Sequence, residues 1–329
     1  MIEKVLVSNF KCIKEQTLDD ITPIVGIWGR NGSGKSSLLQ AIILVLKNGG
    51  NLNNGGISLG SAQDVVFGQD PATPVSVEVS LSNGDKYQCQ IERGGLVPER
   101  REKYNGIRYF PPWRHISQRT GRIDRQIKSD LGIIGPEIHA FIHHYLHNLF
   151  GRIERGDEEA KIDYQKINNW AEKIGFGKLL DSQKGNIEVM GTYRDEIMDL
   201  EVPIVDGGFG GNSFLPILLE SYSFTNGILL VEEPEISLHP AAQSEVLDFF
   251  VEMVKERKHQ IIFTSHSEYM VKKIARAIKD EKLSSDLISV YIAKKDDDNG
   301  TIFEKKDNQD LVKRLDKGQE IILELTKRN

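Results

Sequence analysis

The apolar stretch Val5 to Val7 reads as a first strand and the residues near Cys12 to Gln16, where apolar gives way to polar, as its partner. Ile24 to Trp28 is instead a short apolar run delivered into a glycine-rich turn, the pattern of a buried strand, and from about Lys35 to Leu46 the spacing becomes helical. The Gly- and Asn-rich stretch from Asn48 to Gly60 has too little apolar content to pack and predicts a mobile loop. Val75, Val77, Val79 and Leu81 then alternate with polar neighbours, Asn83-Gly84 supplies a tight turn, and Tyr87, Cys89 and Ile91 alternate on the return. An antiparallel sheet is therefore expected after the first helix. From about Gln126 to Lys178 the pattern is helical, with Ile138, Ile142, Leu146 and Leu149 at spacings of four, four and three. Strand character returns at Ile187 to Met190 and near Ile197 to Ile204, and a glycine cluster from Gly207 to Gly211 precedes the apolar run Phe214 to Leu219. Two short buried strands, Ile228 to Val231 and Ile261 to Thr264, bracket a helix from about Pro240 to Lys255. A strand near Ile288 to Ala293, a hairpin partner near Ile302 to Glu304 and a helix follow.

A length of 329 residues predicts about two structural units at roughly 150 residues each. Hydrophobic residues at 39%, charged residues at 27% and a net charge of −6 exclude a wholly disordered chain. Cys12 and Cys89 lie far apart with no CxxC, which argues against a disulfide framework or a Cys-based zinc site. The longest apolar stretches, such as Ala41 to Leu46, fall far short of the roughly 20 residues a membrane span needs, and no leader pattern opens the sequence. The expected place is the cytoplasm, with no membrane partner. Charge is uneven: Arg93 to Lys128 holds ten Lys/Arg against Glu99, Glu102 and Asp124, a segment of +7 in a remainder of −13. Tyr104, Tyr109, Phe110 and Trp113 lie among those charges, a mixture suited to tracking phosphates and stacking bases, although a basic run is also often a solvated face.

Three motifs carry chemistry. Gly29-Arg30-Asn31-Gly32-Ser33-Gly34-Lys35-Ser36 is a complete GxxxxGKS phosphate loop, followed by Ser37, between a predicted strand and a predicted helix. Its glycines let backbone N–H groups turn inward and, with the positive helix N-terminus, cradle phosphate oxygens. Lys35 is expected to bridge the β- and γ-phosphates and Ser36 to ligate Mg²⁺. Next, Ile228-Leu229-Leu230-Val231 runs into Glu232-Glu233-Pro234-Glu235, so a buried strand tip aims carboxylates at metal and water. Glu232 would hold the metal's water shell and Glu233 would act as the base that deprotonates the attacking water. Third, Thr264-Ser265-His266-Ser267 ends another apolar strand, and His266 could contact the γ-phosphate. His139, His143 and His147 line one face of the helical region with His144 beside them, but no HExxH or acidic partner is spaced for metal there.

The order of phosphate loop, glycine-rich segment, EEPE strand and TSHS strand resembles an ABC-type ATPase head of the OLD- and RecF-like branch, related to SMC and double-strand-break-repair heads. Asn9-Phe10-Lys11 is similar to that branch's N-terminal strand, Glu233-Pro234-Glu235 with Leu238-His239-Pro240 to its EPExxLHP, and Gly208-Phe209-Gly210 with Leu215-Pro216-Ile217 to its degenerate signature. Transporter heads differ, carrying LSGGQ and an Asp where this chain has Gly210-Gly211-Asn212-Ser213 and Glu232. The resemblance implies an α/β P-loop NTPase fold of ABC type: a mixed central sheet, an antiparallel β subdomain and a helical lobe. The corresponding divisions are residues 1–127, 128–185 and 186–329. ATP and Mg²⁺ are the implied cofactors, and the implied assembly is a head-to-tail dimer with each ATP held by one copy's phosphate loop and the other's signature. Ser213, Asn212 or backbone N–H groups would make that contact in trans, and Ser237 to His239 would cross the interface. The resemblance also implies a glutamine that reaches the metal, for which Gln118 is the candidate, with Gln63 as the alternative.

The chain lacks the long coiled coils of repair and SMC heads, and no Toprim nuclease fits the roughly 60 residues after His266. The resemblance therefore points to a stand-alone ATPase of bacterial anti-phage defence type, slow in turnover, that regulates a separate effector such as a nuclease or toxin encoded nearby. A RecF-like repair ATPase that grips DNA through residues 93–128, and an ATP-locked scaffold with negligible turnover, are the other two readings.

Overall fold

The computed structural model describes residues 1–47, 53–54, 57–69, 73–92, 95–98, 104–114, 121–122, 138–184, 188–195, 199–296, 298 and 300–322. Strands β1 (Ile2–Phe10) and β2 (Ile13–Leu18) pair antiparallel, and β3 (Ile24–Gly29) runs into helix α1 (Lys35–Leu46). A small hairpin, β4 (Asn53–Asn54) and β5 (Ile57–Ser58), and the one-turn α2 (Ala62–Val65) lead to β6 (Val75–Leu81), β7 (Lys86–Glu92) and β8 (Gly95–Pro98), then to β9 (Ile107–Phe110). The rest of the stretch read as a mobile loop, apart from Leu59 and Gly60, lies outside the described residues. In the β6–β7 hairpin Val75, Val77 and Val79 face Ile91, Cys89 and Tyr87, so the alternation read from the sequence sets the register.

Beyond β10 (Gly121–Arg122), α3 (Ile138–Glu154) and α4 (Glu158–Lys173) form an antiparallel pair, followed by β11 (Lys178–Lys184), β12 (Glu188–Asp195) and β13 (Leu200–Pro203). Asp157 caps α4 by accepting from the Ala160 N–H at 3.0 Å. The remaining elements are α5 (Phe209–Ser223), β14 (Ile228–Glu232), α6 (Pro240–Arg257), β15 (Gln260–Ser265), α7 (Glu268–Lys279), β16 (Ile288–Asp296), β17 (Gly300–Lys306) and α8 (Asn308–Asp316). β11 occupies a stretch whose sequence predicted no strand. It pairs antiparallel with β12, so the expected division at 185/186 falls between two strands of one small sheet, β10-β12-β11 with β13 on β12.

Among the described residues the large sheet has eleven strands in the order β8-β7-β6-β1-β2-β17-β16-β3-β15-β14-β9. β16, β3, β15, β14 and β9 are parallel, and the remainder is antiparallel, giving the mixed α/β architecture expected. Alternate residues of the parallel strands feed two cores. Ile24, Trp28, Leu229, Val231 and Phe263 enter one core with α3 to α7, while Val25, Ile27, Ile228, Leu230 and Ile262 enter the other with α1 and the antiparallel strands. Burial on both faces is why these strands read as short apolar runs. The helical pair is tied to this body: Trp170 Nε1 and Tyr222 OH both donate to Glu252 Oε1, at 3.0 and 2.8 Å, and Arg257 pairs with Asp163.

Candidate functional site

The phosphate loop leaves β3 at Gly29 and enters α1 at Lys35, with Gly32 and Gly34 in left-handed backbone (φ 72° and 91°) that favours glycine. Gly34 is doubly required, because a Cβ there would stand 2.5 Å from Thr301 Oγ1 and 2.7 Å from Cys12 Sγ. Being the N-cap, Gly34 brings no side chain to the first N–H groups of α1, whose first turn also lacks an acidic residue. Those donors face the loop uncapped, and the buried Ser33 Oγ likewise has no partner among the described residues. Uncapped helix N–H groups in a glycine cradle suit an anion. Arg30 and Asn31 are exposed, and Ser37 Oγ accepts from Cys12 Sγ at 3.4 Å.

Lys35 Nζ donates to Gly29 O (2.9 Å) and Arg30 O (3.2 Å) and lies 2.9 Å from His266 Nε2. Burial pulls its pKa down to about 8, opposed by the charges of Glu233, Glu235 and Glu232. The Ser36 hydroxyl donates to Glu232 Oε2 and the Tyr109 hydroxyl to Glu232 Oε1. Burial raises the pKa of Glu232 while those two hydrogen bonds lower it. Glu233, immediately after β14, has left-handed backbone (φ 45°), an unusual state for a residue with a side chain, held by its N–H donating to Thr264 O at 3.0 Å. Its Oε1 lies 3.6 Å from His266 Nε2. Burial, and then the Lys35 charge, lower the His266 pKa, so the ring is neutral at pH 7 and its Nε2 is the acceptor for the Lys35 ammonium.

Three further residues, to which the sequence assigned no role at the site, complete the arrangement. Glu235 is buried and its Oε1 accepts from Ser265 Oγ (2.6 Å), the His266 N–H (2.7 Å) and the Ser267 N–H (3.2 Å), which fixes the turn that aims His266. Tyr109 anchors Glu232 from the neighbouring strand β9. Arg114, 1% exposed, donates to the main-chain oxygens of Pro111, Ser213, Glu232 and Glu233. Apart from the EPE spacing of Glu235, the available signal was the apolar strand that ends at Tyr109 and Phe110 and leads to Arg114.

The glycine-rich segment forms the start of α5, N-capped by Gly208. A Cβ on Gly210 would stand 2.4 Å from Ser237 O, and one on Gly211 2.4 Å from the Phe176 ring, so both glycines serve close packing. Asn212 and Ser213 are buried, with Asn212 Nδ2 donating to Gly207 O (2.9 Å) and Ser213 Oγ to Phe209 O (2.8 Å). Among the described residues no hydrogen bond joins Gly210–Ser213 to the phosphate loop. The structure thus brings together Lys35, Ser36, Glu232, Glu233 and His266, and places the glycine-rich segment next to the 237–239 turn, joined to the main chain of Glu232 and Glu233 through Arg114. Gln118 lies outside the described residues, and Gln63 is exposed on α2. In the helical lobe His143 is buried, its Nδ1 accepting from the Gly191 N–H at 2.8 Å.

The fold is similar to that of a solved SMC head bound to the C-winged helix domain of ScpA, at 13% identity and a TM-score of 0.58, covering 95% of this chain and 99% of that one. It is also similar to the SMC head domain from Thermotoga maritima, at 14% identity and a TM-score of 0.49, covering 93% of this chain and 98% of that one. No curated protein matches the chain by sequence. Among the described residues no helix is long and apolar enough to cross a membrane. A family model described as an AAA ATPase domain matches residues 1–94 and 101–271, most of the sequence, and the chain therefore belongs to the AAA ATPase domain family.

Proposed function

We propose that the protein binds ATP with Mg²⁺ and hydrolyses it slowly, that two copies close head to tail around the nucleotide, and that the dimer regulates a separate effector, a nuclease or toxin, in anti-phage defence. The observation that carries the catalytic part is the convergence of Lys35, Ser36, Glu232, Glu233 and His266 at the ends of three adjacent parallel strands, β3, β15 and β14. The donor set fits the cofactors. A serine hydroxyl and a carboxylate already in contact are hard oxygen ligands of the kind Mg²⁺ takes, and the uncapped start of α1 suits phosphate oxygens. Bound Mg²⁺ neutralises charge that develops on the β- and γ-phosphates.

The residues then divide the work. Lys35 exchanges its two carbonyl partners and the His266 ring for phosphate oxygens, whose negative charge favours its protonated form. Glu233 orients and deprotonates water. His266, neutral and held by Glu235, presents Nε2 between Lys35 and Glu233, where, once Lys35 has turned to the phosphates, the tautomer with its proton on Nε2 donates to a γ-phosphate oxygen. Backbone N–H groups at the start of α5, with Gly210 and Gly211, face the second copy's nucleotide, since the side chains of Asn212 and Ser213 are engaged within their own chain. The matched SMC head was solved with a domain of another protein bound, which supports a protein partner by analogy.

The test is Glu233→Gln with ATP in an analytical ultracentrifuge, followed by co-purification with the products of neighbouring genes. The expected result is a stable nucleotide-bound dimer with turnover lowered by about 100-fold or more. Wild-type turnover in the variant refutes the role of Glu233, and a monomer at saturating ATP refutes the dimer.

A further inference from the structure

Arg114 sits where the proposed chemistry gives it nothing to touch. It follows β9, is fully enclosed, and spends its guanidinium on main-chain oxygens: Nε to Ser213 O (2.9 Å), Nη1 to Pro111 O (2.9 Å) and Glu232 O (2.6 Å), and Nη2 to Glu233 O (2.7 Å). No carboxylate oxygen forms an ion pair with it among the described residues. Burial draws its pKa down to about 10, opposed by the nearby charges of Glu235, Glu232 and Glu233, so it stays a cation at neutral pH. A buried cation is costly to maintain, and this one is satisfied by planar, multi-point donation that a lysine ammonium cannot reproduce.

The acceptors belong to elements with different tasks. Ser213 lies near the start of α5, in the glycine-rich segment that faces the partner's nucleotide under the head-to-tail reading. Glu232 and Glu233 belong to the protomer's own nucleotide site. A second joint lies beside the first, where Gly210 packs on the Ser237 carbonyl without room for a methyl group. Beyond Glu233 the path continues within hydrogen-bond reach: Glu235 Oε1 holds the His266 N–H, and His266 Nε2 meets Lys35 Nζ. The beginning of α5 and the end of β14 are thereby one mechanical unit with a guanidinium at its centre.

We infer that Arg114 is a positioning residue that couples the two nucleotide sites of a dimer, passing the seating of α5 on the partner's nucleotide to the main chain of Glu232 and Glu233 and so aligning Glu233 in its own site. The inference rests on the head-to-tail reading above. It gives a reciprocal linkage: nucleotide in either site favours the competent arrangement of the other.

The experiment measures ATP turnover against ATP concentration for the wild type, Arg114→Lys, Arg114→Gln and Gly210→Ala. Binding of a non-hydrolysable ATP analogue and thermal melting are followed in parallel, with the ATP-driven dimerisation of Glu233→Gln as reference. The wild type is expected to show a Hill coefficient above unity. Arg114→Lys is expected to keep analogue affinity within about twofold but to lose about tenfold or more in kcat, its Hill coefficient falling to unity. Gly210→Ala, which disturbs the other joint and leaves the guanidinium in place, also lowers the Hill coefficient, and Arg114→Gln, which keeps a planar amide donor but loses the guanidinium, decides the matter if Arg114→Lys does not fold. Hyperbolic wild-type turnover in a protein whose Glu233→Gln form dimerises on ATP overturns the coupling alone. So does an unchanged Hill coefficient in whichever variants fold. A Glu233→Gln protein that stays monomeric overturns the head-to-tail reading, and the coupling with it.

Discussion

The protonation of Lys35 gives a sharp test of the phosphate site. In the nucleotide-free protein its pKa is drawn from 10.5 to about 8 by burial. A triphosphate against the ammonium favours the charged form, so bound Lys35 titrates above its free value and binding above pH 8 takes up a proton. For a group with a pKa of about 8, the protonated fraction falls from roughly nine-tenths at pH 7 to one-tenth at pH 9. Affinity for a non-hydrolysable ATP analogue should therefore weaken about tenfold over that interval, close to 1.4 kcal/mol. Calorimetry in two buffers of different ionisation enthalpy reads both the affinity and the proton uptake. The sign is opposite for the empty fold. Unfolded lysine keeps its proton to about 10.5 whereas folded Lys35 releases it near 8, so this residue adds stability as pH climbs through that window and none below it. A dissociation constant that is flat or tightens from pH 7 to pH 9, with no proton uptake, refutes the assignment of Lys35 as the phosphate-binding cation.

Two further substitutions test the parts that surround the site. Gly210→Ala places a methyl group 2.4 Å from Ser237 O, about an ångström inside ordinary contact with backbone that cannot swing aside, and is expected to cost about 1–3 kcal/mol in urea unfolding. No loss of stability would show that α5 and the 237–239 turn are not tightly joined. Glu235→Ala strands the His266 and Ser267 N–H groups and should cost about 2–4 kcal/mol with a fall in kcat, whereas Glu235→Gln retains an acceptor oxygen and should lie within about 1 kcal/mol of wild type. Equal losses from Ala and Gln at this position would mean that the charge, not the hydrogen-bonded turn, matters.

What the sequence revealed and what it concealed differ by the range of the contact. The phosphate loop was legible because its requirements are local: glycines for left-handed backbone and close approach, a lysine at the start of a helix. The parallel strands β3, β14, β15 and β16 were legible because burial on two faces leaves apolar runs, and the acid pair because it ends one of them, whereas β9, with Arg108 inside it, was not. Arg114 and Tyr109 were not, since their partners in the Glu232 neighbourhood lie 118 and 123 residues further along the chain. Both fell inside the basic, aromatic stretch read as a surface for nucleic acid. Two of its ten positive charges, Arg108 and Arg114, are in fact interior, the former paired with Glu220. A run of charge in sequence says nothing about which side chains the fold turns inward. β11 was missed because Lys178-Leu179-Leu180-Asp181 shows no sustained alternation, and its strand state comes from pairing with β12.

The arrangement of strands governs when this protein can begin to work. β3, which delivers the phosphate loop, is hydrogen-bonded on one edge to β15 and on the other to β16, strands that start at Gln260 and Ile288. The Gln260 side chain also clasps the main chain of Ile2, its Nε2 donating to Ile2 O at 2.8 Å. During synthesis at about 5–20 residues per second, tens of seconds separate the emergence of the loop from that of its flanking strands. Throughout that interval Ile24–Trp28 is an unpaired apolar segment that a chaperone would shield, and a nascent chain carries the nucleotide motif without a pocket to use it. The ability to capture ATP therefore waits on the distal third of the polypeptide.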